Sequence, residues 1–139
     1  MSGMLIPEDL EPIAEATGVE NPLILASKWL SASPGAIVSI SGEIMRIGTL
    51  VPRRTVNGCQ YFEGGSCRIH AVAPFGCSHF SWHMGKEEGD ERSGAAIHSI
   101  MADTELARAY RDIWAVLWLQ GQRADGPGVA RAKMRELLK

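Results

Sequence analysis

The three cysteines of the chain are the residues best suited to chemistry. They follow one another as Cys59-x7-Cys67-x9-Cys77, and the chain has no other cysteine. Three histidines lie in or just beyond the same stretch: His70, His79 and His83. Thiolate and imidazole are the side chains that bind zinc ions and iron-sulfur clusters. Their concentration in one short part of the chain predicts a metal site.

A metal site on three cysteines needs a further ligand. Structural zinc takes four nitrogen or sulfur ligands, and an iron-sulfur cluster usually takes four thiolates. His83, six residues after Cys77, is the preferred candidate, followed by His79 and then His70. We interpret His98 as a structural residue. The alternative for all three cysteines is that they are small buried apolar residues.

Composition limits the classes of function. The chain has 139 residues, a net charge of −2, a pI near 6.1, 45% hydrophobic and 22% charged residues. This length predicts one domain, residues 1–139, and the charge makes nucleic-acid binding unexpected. No apolar run is long enough for a membrane span, and the first residues lack the pattern of a secretory signal. We therefore expect a cytoplasmic protein, in which grouped cysteines are ligands or redox thiols rather than disulfides.

The cysteines lie in a segment, residues 52–94, that is predicted to be mostly irregular. It is rich in Gly, Pro, Ser and charged residues and has no sustained period of 3.6 or 2. At most one helical turn, Arg68 to Val72, is expected, and Lys86 to Arg92 is interpreted as a solvated loop. Such a long irregular segment is uncommon in a small domain unless something else orders it. A bound metal would supply that order.

Regular elements are predicted on both sides of this segment. Pro7 to Thr17 and Leu23 to Leu30 are expected to be helices, the first ended by Gly18 and the second capped by Asn21. Ser33-Pro34-Gly35 is expected to end the second helix. Ala36 to Ile40 and Glu43 to Val51 predict a β-hairpin joined by Ser41-Gly42, and no internal repeat is visible. The fold class is therefore α+β: helices, a β-hairpin and a loop-rich metal-binding segment in one small domain.

The C-terminal part, residues 103–138, is predicted to be helical. Asp103 or Thr104 caps a helix that ends near Gln120, and a shorter helix starts at Asp125. Apolar residues recur in the longer helix at spacings of three and four. Trp114 belongs to this apolar stripe, and Trp118 and Val116 widen it. The stripe is expected to be core, but its Trp114 and Trp118 face is also a candidate surface for a homodimer or protein partner.

The cysteine segment resembles the YkgJ-type cysteine cluster proteins, described as zinc- or iron-chelating domains. The resemblance is carried by Tyr61-Phe62 after the first cysteine, by Cys67-Arg68-Ile69, and by Pro74-Phe75-Gly76-Cys77 with Phe80; upstream, Leu5 to Gly18 is similar to a family helix. Ala73 and Ser78 replace two arginines of the family pattern, and His70 replaces a tyrosine. The family's N-terminal cysteine group has no counterpart in this chain. The resemblance implies a metal or iron-sulfur role for Cys59, Cys67 and Cys77.

Three functions remain open from the sequence. The preferred one is an iron-sulfur protein, for example with a 4Fe-4S cluster, in electron transfer, sensing or an accessory role. The second is a zinc-stapled interaction or assembly module without catalysis. The third is an enzyme whose cluster keeps one iron open to substrate, although no phosphate-binding glycine loop, Gly-x-Ser-x-Gly or His-Glu-x-x-His motif accompanies it.

Overall fold

The computed structural model describes residues 4–40, 42–55, 58–59, 62–63, 66–67, 69, 72, 75 and 86–124. These residues form a small α+β domain. A 3-10 turn, Pro7–Asp9, leads into helix α1, Leu10–Ala16, and helix α2 is Pro22–Trp29. Strands β1, Leu30–Ile40, and β2, Glu43–Pro52, form an antiparallel hairpin. Helices α3, Lys86–Met101, and α4, Glu105–Leu119, follow the last cysteine.

Helix boundaries follow the capping residues in the sequence. The Asn21 side chain accepts a hydrogen bond from the Ile24 N–H at 3.0 Å, and the Thr104 side chain accepts one from the Ala107 N–H at 3.0 Å. Each bond satisfies a backbone donor that the first helical turn would otherwise leave without a partner. Gly18 and Gly121 adopt positive φ angles just beyond α1 and α4. The predicted starts of α2 and α4 are confirmed.

The main sheet is wider than the hairpin alone. Leu5 forms an isolated antiparallel bridge to Leu50 on β2, and Arg123 forms a parallel bridge to Ala32 on β1. The Ala32 N–H donates to the Gln122 carbonyl at 2.9 Å, and the Leu5 N–H donates to the Leu50 carbonyl at 2.8 Å. Both outer edges of the hairpin are therefore covered at the rung where Ala32 pairs with Leu50, near its open end, so these backbone groups are not free to pair with another chain.

Helix α2 ends at Trp29, next to the predicted end at Leu30. The residues expected to stop it, Ser33-Pro34-Gly35, instead lie inside β1, which begins at Leu30 and not at Ala36. The strand accommodates Pro34 and Gly35 through a register shift between Ser33 and Ala36. Gly35 adopts a φ of +72°, and a Cβ atom there would lie 1.6 Å from the Ile47 carbonyl oxygen. A bulge tolerates a proline that a regular ladder would exclude.

One apolar core joins the helices to the hairpin. Its buried members come from the N-terminal turn, residues 4–9, from α1 and α2, from both long strands, from α3 and α4, and from the cysteine segment. They are Leu5, Leu10, Ile13, Ala14, Leu25, Ala26, Leu30, Ala32, Ile47, Leu50, Ile69, Ile100, Tyr110, Ile113 and Leu117. A smaller cluster contains Met4, Phe75 and Ala96. Ile69 and Phe75 of the cysteine segment therefore belong to the packed interior.

Arginines from other parts of the chain cap three helix C-termini. Arg53 donates to the carbonyls of Ser27 and Leu30 at the end of α2, at 2.9 and 3.1 Å. Arg111 donates to the Ile100 carbonyl near the end of α3 at 2.6 Å. Arg123 donates to the Trp118 carbonyl of α4 at 2.8 Å. A cation at the negative end of a helix dipole is favourable, so these contacts fix both the helix ends and the segments that carry the arginines.

Helix α3 corrects one prediction. Lys86 to Arg92 was interpreted as a solvated loop and residues 86–94 as part of the irregular segment, but α3 begins at Lys86. Its C-terminal half supplies the buried residues Ala96 and Ile100. Once that half is packed, each added residue extends the helix at low cost, so the charged first half can be helical without an apolar stripe of its own.

Candidate functional site

Cys59 and Cys67 occupy equivalent positions in two short hairpins. The first hairpin pairs β3, Arg54–Thr55, with β4, Gly58–Cys59, and the second pairs β5, Phe62–Glu63, with β6, Ser66–Cys67. Arg54 lies opposite Cys59, and Phe62 lies opposite Cys67. Each cysteine is the last paired residue of its hairpin and follows a small residue.

The two hairpins form a backbone repeat of eight residues that the sequence did not reveal. Each has two paired residues per strand and two residues between the strands. The expectation of irregular structure is wrong for these four strands. The repeat was hard to recognise because the two units share almost nothing except a small residue followed by cysteine, Gly58-Cys59 and Ser66-Cys67.

The remaining predicted ligands lie outside the described residues. These are Cys77, His70, His79 and His83. Within the ranges that the structure describes, no three His, Cys, Asp or Glu residues form a group that could bind one metal ion. His98, interpreted as structural, is exposed on α3. The structure therefore places Cys59 and Cys67 at equivalent positions of two separate hairpins and does not test the complete ligand set.

Arg53 anchors the beginning of the cysteine segment. Besides its two side-chain bonds to the end of α2, its N–H donates to the Trp29 carbonyl at 2.8 Å. Arg53 directly precedes β3, so the first hairpin starts from a point that is tied to the α2–β1 junction. The sequence contained no signal for this role.

Ile69 anchors the middle of the segment. Its side chain is buried in the main core, two residues after Cys67. The Val72 N–H donates to the Ile69 carbonyl at 2.9 Å, which closes a tight turn where the sequence predicted one helical turn. The hairpin that ends at Cys67 therefore leads directly into packed structure.

Asp9 and Phe75 anchor the last described part of the segment. The Phe75 N–H donates to Asp9 Oδ2 at 2.9 Å, and the Ile6 N–H donates to the same oxygen at 3.0 Å. The Phe75 side chain packs with Met4 and Ala96. Hydrogen bonds to a carboxylate are stronger than those between neutral groups. Phe75 precedes Cys77 by two residues, so the N-terminal turn holds the chain close to the third cysteine.

The Trp114 and Trp118 side chains make their contacts within the chain itself. The rings stack with their centroids 5.1 Å apart, the Trp114 indole N–H donates to the Ser33 carbonyl at 2.8 Å, and the Arg123 guanidinium lies over the Trp118 ring at 4.4 Å. Both rings are half-buried against the core. The apolar side chains of α4 that face solvent are instead Val116, 41% exposed, and Leu119, 82% exposed.

Comparison of the sequence with protein-family models found no matching family, and comparisons with curated proteins and with solved structures found no match. Among the described residues, no helix is long and apolar enough to cross a membrane.

Proposed function

We propose that the protein binds a metal centre through Cys59, Cys67 and Cys77, and that this centre is an iron-sulfur cluster. His83, or else His79, would provide the fourth ligand. When bound, such a cluster supplies one-electron redox chemistry, which suits electron transfer, sensing or an accessory role. The proposal includes a cytoplasmic location, and it is in keeping with the YkgJ-type resemblance of the segment.

The observation that supports the proposal most strongly is the repeated hairpin. Strands of two residues are too short to be stable alone, since even a longer isolated hairpin is marginal in water. Two such hairpins in succession, each ending at a cysteine, need a further source of free energy. Thiolate–metal bonds at Cys59 and Cys67 would provide it, because metal binding and local folding are then the same event.

Iron-sulfur is favoured over zinc by the cysteine spacing. Zinc fingers and ribbons bring their ligands from closely spaced pairs such as Cys-x2-Cys, whereas these cysteines are separated by seven and nine residues. With zinc in place of the cluster, the segment would be a structural staple and the protein an interaction module, since zinc has no redox chemistry.

Anaerobic purification followed by metal analysis and a visible spectrum tests the proposal. Iron and acid-labile sulfide with a broad band near about 400 nm are expected. In Cys67→Ser the metal content should be lost. Ser66→Ala is the matched control, because it changes the neighbouring residue of the same hairpin without removing a thiolate. If Cys67→Ser keeps its metal and its melting temperature, the cysteines are packing residues.

A pair of histidine variants tests the fourth ligand. His83→Ala should lower the metal content or its retention during chelator challenge, whereas His98→Ala should not, because His98 lies exposed on α3. Equal effects of the two substitutions would remove His83 from the site, and His79→Ala would then be the next variant.

A protein partner is a second candidate function, favoured by the exposed side chains of Val116 and Leu119. The predicted surface at Trp114 and Trp118 would then extend onto the outer face of α4. Sedimentation of the protein at micromolar concentration tests whether this partner is a second copy, with Leu119→Lys expected to restore a monomer. A wild-type protein that is already monomeric would rule out the homodimer.

A further inference from the structure

The Asp9 carboxylate is a polar link between two distant parts of the chain. Asp9 Oδ2 accepts hydrogen bonds from Ile6, three residues before it, and from Phe75, 66 residues after it. The first bond closes the N-terminal turn, and the second attaches the cysteine segment to that turn. The two hydrogen bonds to this oxygen therefore form together only when both parts of the chain are in place.

Apolar packing joins the same two parts of the chain. Met4 and Phe75 are buried together with Ala96 of α3, and Ile6 and Val51 are half-buried against this cluster. Leu5, between Met4 and Ile6, bridges to Leu50 on β2. If the N-terminal turn leaves this position, Phe75 loses both the carboxylate that accepts its N–H and its apolar neighbour Met4.

The position of Phe75 limits the position of Cys77. Two residues of fully extended chain span at most about 7 Å, so chain length alone limits how far the Cys77 Cα atom can be from that of Phe75. Without that restraint, Cys77 has more conformational freedom to lose, so metal binding costs more conformational entropy.

We propose that Asp9 is a positioning residue for the metal site, through which docking of the N-terminal turn and metal binding by the cysteines stabilise each other. This inference rests on the proposed metal-binding function. Asp9 does not contact the metal; it acts on Cys77 through Phe75. The coupling is reciprocal by thermodynamic necessity, so metal must protect the N-terminal turn as much as the turn favours metal.

Titration of metal-free protein with Co²⁺ alone measures the first half of the coupling, because cobalt–thiolate complexes absorb visible light. Asp9→Ala should bind Co²⁺ roughly tenfold more weakly or worse, since a hydrogen bond to a charged group is lost. Asp9→Asn keeps one oxygen acceptor and should lie between Asp9→Ala and the wild type.

Two control variants separate positioning from general stability. Glu11→Ala removes an exposed carboxylate of α1, and Thr104→Ala removes the N-cap of α4, which destabilises the fold at the start of that helix. Both should bind Co²⁺ like the wild type. If Thr104→Ala weakens Co²⁺ binding as much as Asp9→Ala, the effect is one of global stability and the positioning role is refuted.

Amide hydrogen exchange measures the reciprocal half. Co²⁺ should slow exchange of the Ile6 and Phe75 N–H groups in the wild type and have a much smaller effect on Ile6 in Asp9→Ala. The Ala107 N–H of α4 should not respond. A wild type that binds Co²⁺ while Asp9→Ala binds it equally well would overturn the coupling alone. A wild type that takes up neither Co²⁺ nor iron would overturn the proposed function and the coupling together.

Discussion

At Tyr110, one hydroxyl group joins three separate parts of the chain. It accepts a hydrogen bond from the Leu50 N–H of β2 at 2.7 Å and donates one to the Leu5 carbonyl. The side chain itself belongs to α4 and is fully buried. The apolar ring fills the core, while its polar end satisfies two backbone groups that the Leu5 bridge leaves without strand partners.

Replacing Tyr110 with Phe should destabilise the protein by about 2 to 4 kcal/mol, because two buried backbone groups lose their partner. Urea unfolding measures this change. Thr17→Val is the matched control: its hydroxyl bonds to the Ile13 and Ala14 carbonyls, which also accept the N–H groups of Thr17 and Val19. The control should lose less than about 1 kcal/mol. Equal losses would mean that the buried hydroxyl contributes no more than a surface one.

The raised pKa of Tyr110 also predicts that the protein loses stability at alkaline pH. Burial raises the pKa of Tyr110 above the ordinary value of 10.0; the hydrogen bond from Leu50 lowers the pKa, and the charge of Asp9 raises it. Between the unfolded and folded pKa values the unfolded chain gives up the proton and the folded chain keeps it. The contribution to stability is therefore complete below about pH 10 and is lost above it, by up to about 1.4 kcal/mol per pH unit.

Urea unfolding of the wild type and Tyr110→Phe between pH 8 and 11 isolates this contribution, because other titrating groups are common to both proteins. The stability difference between them should shrink above about pH 10. A difference that stays constant across this range would show that Tyr110 ionises in the folded protein as readily as in the unfolded chain.

Among the elements, the bulged strand β1 restricts the choice of residue most strictly, at Gly35. Gly35 combines a positive φ with backbone contact to β2, since an added Cβ would clash with the Ile47 carbonyl. Gly48 meets a different neighbour: a Cβ there would lie 2.4 Å from the Trp114 ring. Helix α4 can therefore approach the hairpin closely only because this position of β2 has no side chain.

Gly35→Ala and Gly42→Ala form a matched pair of variants. Both glycines adopt positive φ, 72° and 81°, but a Cβ at Gly42 meets nothing within 4 Å. Gly42→Ala should cost about 1 to 2 kcal/mol from conformation alone. Gly35→Ala should cost more than about 3 kcal/mol, because the strand must also move away from Ile47. Similar losses in urea unfolding would show that the bulge relaxes freely.

For the whole molecule, the structure shows a continuous apolar core beside the segment that the proposed metal would order. The apolar residues of the helices and the hairpin form a continuous core, which the cysteine segment joins through Ile69. Phe75 joins only the smaller cluster with Met4 and Ala96. Loss of metal should therefore affect the segment before it affects the fold.

Chelation of the metal should make the chain sensitive to trypsin after Arg68 while leaving its far-UV circular dichroism nearly unchanged. Sites on α4 such as Arg111, which is bonded to the end of α3, should stay protected. Limited proteolysis with mass spectrometry locates the cuts. A cooperative loss of helical signal on chelation would show that the metal holds the whole domain together.

The sequence by itself determined the elements whose signals are local. Asn21-Pro22 and Thr104 mark helix starts, and Ser41-Gly42 joins β-branched runs, because caps and tight turns are decided by neighbouring residues. Sequence alone also identified the cysteine segment as the candidate site, since the types and spacing of possible ligands are visible in the chain.

Tertiary structure alone decided how that segment is held. The bonds from Arg53 to the end of α2 and from Phe75 to Asp9 join residues that are 23 to 66 positions apart, and no local pattern encodes them. The same holds for Pro34 inside β1, which takes its conformation from pairing with β2, and for the charged first half of α3, which continues the helix from its packed C-terminal half. Such contacts depend on which surfaces meet when the core forms, and that is a property of the folded chain as a whole.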